Sequence, residues 1–138
     1  MSISVYDVNA FLKNDATLQD IAGKEMNFFP VVGYGTELPP FVVYFFNPSI
    51  PSVESYWNRN DYIRYSLYDS DADRLFRLSE RIIYLLGKGD SVQQTGGIES
   101  DSHRFKASVF LGSHLIEPIE KEGWYQMDLD FRIFSTSL

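Results

Sequence analysis

Between Asp61 and Gly89 an alternating segment runs straight into a long amphipathic one, and this junction restricts the fold more than any other stretch. From Tyr62 to Tyr68, Ile63, Tyr65 and Leu67 point one way while Tyr62, Arg64, Ser66 and Tyr68 point the other, the period of a strand. After Asp69-Ser70-Asp71-Ala72-Asp73, the positions Ala72, Leu75, Phe76, Ser79, Ile82, Ile83 and Leu86 follow the i, i+3, i+4, i+7 spacing of a helix with one buried stripe. Asp73, Arg74, Arg77, Glu80 and Arg81 fall off that stripe, and Gly87 and Gly89 supply the stop. A strand feeding such a helix predicts an α+β domain. The helix from Asp71 to Leu86 should cross one sheet face through Leu75, Ile82, Ile83 and Leu86.

The remaining segments fit that plan. Ser4 or Ser2 caps a first helix carrying Val5, Val8, Phe11 and Leu12, with Asp7 favoured by the dipole in its first turn. A short helical turn from Thr17 to Ala22 ends at Gly23. Met26 to Val32 predicts a strand held to an edge or bulge by Pro30, which cannot donate to a ladder. After the turn residues Gly33 to Pro40, the β-branched and aromatic run Phe41 to Phe46 predicts a strand covered on both faces. Phe105, Ala107, Val109 and Leu111 alternate with Lys106, Ser108 and Phe110, and Gly112 marks a bulge. Tyr125, Met127, Leu129, Phe131 and Ile133 alternate with Gln126, Asp128, Asp130 and Arg132, giving a long C-terminal β-hairpin. The expectation is one domain over residues 1–138: a mainly antiparallel sheet with an N-terminal helix and one long helix packed on it.

Two loops stand apart. Asn47 to Asn60 carries two prolines and the pair Tyr56-Trp57, reading as a long surface loop with an aromatic tip, although the ordinary tendency of Trp to be buried favours Trp57 tucking back onto the core. Lys88 to His103 is rich in Gly, Ser, Gln and Asp and should stay mobile until a partner holds it. Tyr56, Trp57, Lys88 and His103 are the candidate partner contacts.

Charge excludes whole classes of function. Nineteen acidic against twelve basic residues give a net charge of -7, the wrong sign for affinity built on neutralising phosphates. With no cysteine, disulfides and Cys-based zinc sites are impossible. No apolar run approaches the roughly 20 residues of a membrane span, and the start has no basic region followed by an apolar core. Eleven Phe and nine Tyr exceed what a core of this size needs, which suits subunit contacts.

Candidate chemistry is thin. Asp69, Asp71 and Asp73 have the spacing of calcium-loop ligands with Glu80 at the twelfth position, but Arg74 stands where the loop needs glycine. Capping and dipole roles for these aspartates are the better account. Val32-Gly33-Tyr34-Gly35 matches a potassium-filter core without the membrane helices a filter requires, so it reads as a turn. Asp128 and Asp130, roughly 7 Å apart on one strand face, could pair as catalytic carboxylates but are more simply a polar face. His103 and His114 have no nucleophile or further ligand beside them. No metal, cofactor or catalytic set is expected, and the chain reads as a non-enzyme.

Element order carries a resemblance. The N-terminal helix, Leu18 to Gly23, the Pro40 to Tyr44 entry into a strand, the Tyr62 to Tyr68 strand, the helix from Ala72 to Leu86 and the closing hairpin together resemble the tail-terminator and tail-completion proteins of tailed bacteriophages. The resemblance implies a structural virion protein, assembled in the host cytoplasm as a ring, commonly a hexamer, at the head-proximal end of the tail tube. Its partners would be the tail tube protein and the neck or head-completion protein, with DNA passing through unbound. Under that implication Gln126, Asp128 and Asp130 are candidate lumen-facing residues, because an acidic lining conducts a polyanion without holding it. The same carboxylates could instead bridge to a neighbouring copy's Arg64 or Lys106. The rival class is a small-ligand or protein-binding module, with a pocket between the sheet and the long helix.

Overall fold

The computed structural model describes residues 5–30, 38–47, 58–87, 103–116 and 123–137. Helices α1 (Val5–Lys13), α2 (Ala16–Ala22) and α3 (Ala72–Gly87) accompany strands β1 (Phe28–Pro30), β2 (Phe41–Asn47), β3 (Asn58–Asp69), β4 (His103–Ile116) and β5 (Tyr125–Ser137). The strands form one sheet in the order β1-β2-β3-β5-β4. Only β1 against β2 is parallel; the other pairs are antiparallel, as expected. Pro30 sits on the edge strand, where its missing N–H costs no ladder bond. Of the predicted strand from Met26 to Val32, Phe28 to Pro30 form β1, Met26 and Asn27 precede it, and Val31 and Val32 lie outside the described residues; Asn58 to Asn60, expected in a loop, belong to β3.

All three helices cover one sheet face. Val8, Leu12, Leu18 and Ala22 from α1 and α2 join Leu75, Leu78, Ile82, Leu85 and Leu86 of α3 over Val42, Ile63, Tyr65, Leu67, Met127, Leu129, Phe131 and Ile133. Each fully buried Leu or Ile contributes on the order of 2 kcal/mol, so α3 is held by its stripe rather than by helix propensity. That stripe is rotated from the expected one. Leu78 and Leu85 are buried, whereas Phe76 faces outward and is 45% exposed. Leu78, three residues beyond Leu75 and four before Ile82, completes the true band.

Polar side chains fix how the layers meet. Asp15 caps α2, its Oδ2 accepting from the Leu18 N–H at 2.9 Å, and both its oxygens accept from Arg81 of α3 at 2.9 Å. The Arg81 hydrogen bond, aided by that from Leu18 against the opposing effect of burial, holds the Asp15 carboxyl below its ordinary 3.8. The Tyr65 hydroxyl donates to Asn9 Oδ1 at 2.7 Å inside the core, tying α1 to β3. At the β3–α3 junction, Asp69 is buried and accepts two bonds of 2.6 Å from Arg74, while Asp71 Oδ1 accepts from the N–H groups of Asp73 and Arg74. These carboxylates turn onto backbone and Arg74, which is the capping role and not a ligand loop.

The C-terminal hairpin is present, but between its two bulges β4 presents the opposite face to the one expected. Register shifts between Phe105 and Ala107 and between Phe110 and Gly112 insert extra residues. The first shift reverses the alternation: Ser108 pairs with Ile133 and Phe110 with Phe131 on the core side, and Ser108 Oγ donates to the Leu86 carbonyl. Leu111, expected inward, lies at the second bulge and is 51% exposed.

Candidate functional site

The face of the sheet away from the helices carries the polar positions of β3 and β5, and two kinds of surface share it. Near one end, Phe41 stacks on Tyr68 with centroids 5.2 Å apart and meets Trp124 and Phe29 edge-on at 5.5 and 6.1 Å. Phe41 is completely buried, with no helix above it among the described residues. Further along β2 the cover ends, and Phe45 is 47% exposed, so the strand is covered on both faces only over its first half.

Between these rings and β4 runs a row of polar pairs set by the β3–β5 register, which aligns Arg64 with Asp130 and Ser66 with Asp128. Arg64 Nε and the Tyr62 hydroxyl each donate to Asp130 Oδ1 at 2.7 Å, and Arg64 Nη2 reaches Oδ2 at 3.4 Å. Burial alone would raise the Asp130 pKa, but the bonds from Arg64 and Tyr62 outweigh it and hold the carboxyl below 3.8. The Tyr62 hydroxyl is pushed above 10.0 by burial and by that same carboxylate. Asp128 Oδ1 accepts from Ser66 Oγ at 2.6 Å and from Gln126 Nε2 at 2.9 Å. The Arg132 guanidinium lies over the Tyr62 ring, 5.6 Å from its centroid.

Gln126, Asp128 and Asp130 therefore share one face, as their alternation implied, but they are not the exposed row expected. Asp128 is buried, and Gln126 and Asp130 are half-buried beneath partners from β3. The Arg64 that meets Asp130 comes from the same chain. Of the candidate partner contacts, Tyr56, Trp57 and Lys88 lie outside the described residues, as does the loop up to His103. His103 itself opens β4, opposite Ser137, instead of ending a loop. His114 pairs in register with Asp128 and is exposed.

A depression of about 390 Å³ opens on this outer face, lined by Val43, Tyr44, Phe45, Tyr62, Arg64, Ser66 and Tyr68. It lies on the side opposite the long helix, not between helix and sheet. Its walls offer aromatic edges, hydroxyls and the Arg64 guanidinium, which is paired with Asp130. Neither Phe45 nor Tyr62 stood out as a contact residue in sequence, since an exposed ring and a buried one look alike in an alternating run. Among the described residues no group of three or more His, Asp or Glu could hold a metal ion, and no helix is long and apolar enough to cross a membrane.

No family model matches the chain, and no curated protein matches it. Among solved structures, the fold is similar to that of a chain described as "Virion of native gene transfer agent (GTA) particle", with a TM-score of 0.68 and 17% sequence identity over 94% of this chain and 91% of that one. At this identity the likeness is one of fold, and it extends over nearly the whole length of both chains.

Proposed function

We propose that this chain is a structural protein of a phage-like virion, acting as a tail terminator: a ring at the head-proximal end of the tail tube that ends tube growth and joins the tail to the neck. One observation carries the proposal, the near end-to-end likeness of the fold to a chain of a gene transfer agent virion. The order of elements in the sequence supports it independently, since it resembles the tail-terminator and tail-completion proteins of tailed bacteriophages. The role assigns no reaction to the chain. Its neighbours are further copies of itself, commonly six in a ring, then the tail tube protein and the neck protein, with DNA passing through.

In such a ring the hairpin face bearing Gln126, Asp128 and Asp130 borders the lumen or its rim. Arg64 neutralises Asp130, so repulsion of passing DNA rests chiefly on Asp128 and on the net charge of -7. The test is to polymerise the tail tube protein of the same virion with and without this chain. Added chain should fix tube length and appear as a ring at one end. Tubes that elongate equally in its presence, with bare ends, would overturn the role.

A further inference from the structure

Apart from the depression on the sheet, a second aromatic surface lies on the opposite side of the domain. The outward band of α3 carries Phe76 and Tyr84, 45% and 43% exposed, one helical turn before and after Glu80. They span roughly 12 Å along the axis at 1.5 Å per residue. Glu80 is exposed and has no ion pair among the described residues. The sheet face supplies what this band lacks. Its depression is walled by Phe45 and Tyr62, and beside it the exposed Arg132 rests on the Tyr62 ring with no carboxylate partner among the described residues.

Two different surfaces on opposite faces, one with exposed rings around Glu80 and the other with a depression beside Arg132, are what a head-to-tail contact requires. A two-fold contact would instead need one self-complementary patch, whereas repeated head-to-tail contacts close into a ring when the rotation between copies closes and run on as a filament when it does not. Resting on the ring role above, we propose that the outward band of α3 in one copy docks on the outer sheet face of the next. Phe76 and Tyr84 anchor in and beside the Phe45–Tyr62 depression and Glu80 pairs with Arg132, at the Arg132 end of that face, which leaves the Gln126 and Asp128 end at the rim of the lumen. Rings seated in pockets supply most of the attraction, and the opposed charges set the register.

Single-face variants of the full chain test this. Phe76→Ser with Tyr84→Ser disables the helix side, and Phe45→Ser disables the sheet side. These side chains are substantially exposed, so thermal melts should match the natural chain and certify folding. Each variant alone should lose the ring and run as a single chain. An equal mixture should yield a two-chain species and no ring, because one intact helix band meets one intact sheet face. Rings from either variant alone, or a mixture without the two-chain species, would overturn the pairing while leaving the ring role standing if the natural chain still closes. A natural chain that never self-associates would overturn both.

Discussion

The two faces of the sheet are built from the same strands under opposite rules. On the inner face Ile63, Tyr65, Leu67, Met127, Leu129 and Phe131 meet three helices, and the polar groups there are deeply buried: Asn9 is matched with Tyr65, while the Ser135 hydroxyl has no partner among the described residues. On the outer face no helix intervenes among the described residues, and Asp128 and Asp130 are covered by Ser66, Tyr62 and Arg64 from the neighbouring strand. The inner face leaves no room for a partner. The outer face keeps its charges partly solvated and its rings partly bare, which is how a surface stays soluble alone yet has apolar area to bury in an assembly.

Substitutions should separate the faces by size of effect. Ile82→Asp places an unpaired charge in the inner layer and should abolish the cooperative melt, since a cost of several kcal/mol is comparable to the whole stability of a domain. An unchanged melt would remove α3 from the core. Arg74→Met strands the fully buried Asp69 carboxylate and should cost about 3 kcal/mol, read from the shift of a urea midpoint.

Asp15→Ala removes both the α2 cap and the bond to Arg81, with an expected loss of about 1–2 kcal/mol near neutral pH. Because folding lowers the Asp15 pKa, its contribution is present above 3.8 and disappears as pH falls through the still lower folded value. Natural chain and variant should therefore differ in stability at pH 6, and the gap should narrow as pH falls below 3.8. A gap that does not narrow on acidification would assign the effect elsewhere. Arg64→Gln, on the outer face, should shift the melt by less than about 1 kcal/mol, because the pair with Asp130 is largely solvent-screened. A loss as large as that of Arg74→Met would erase the distinction between the faces.

Much of this was legible wherever one period governed a segment. The alternation from Tyr125 to Ile133 identified the inner face of β5 residue by residue, and the stop at Gly23 placed the end of α2. Failures came where a second, non-local condition intervened. The bulge near Lys106 reverses the face of β4 and the one near Leu111 restores it, and a sequence gives no count of residues opposite them. Phe76 fits a helical stripe as well as Leu78 does, and only the position of the sheet chooses between them. The outer row shows the same limit. Its polar residues were readable, but the pairing of Asp130 with Arg64, 66 residues apart, depends on the β3–β5 register. The cap at Asp15 was readable in principle, as an Asp just before Ala16 and three residues ahead of Leu18.

A ring-forming structural role makes one direct demand on the purified natural chain or, if closure needs a template, on the chain bound to its tail tube. Native mass measurement combined with electron microscopy tests that demand. The expected result is one closed species at a fixed multiple of 15.9 kDa, unchanged over a tenfold range of concentration and seen end-on as a ring. A monomer under both conditions, or an open-ended ladder of masses with no ring, would contradict it.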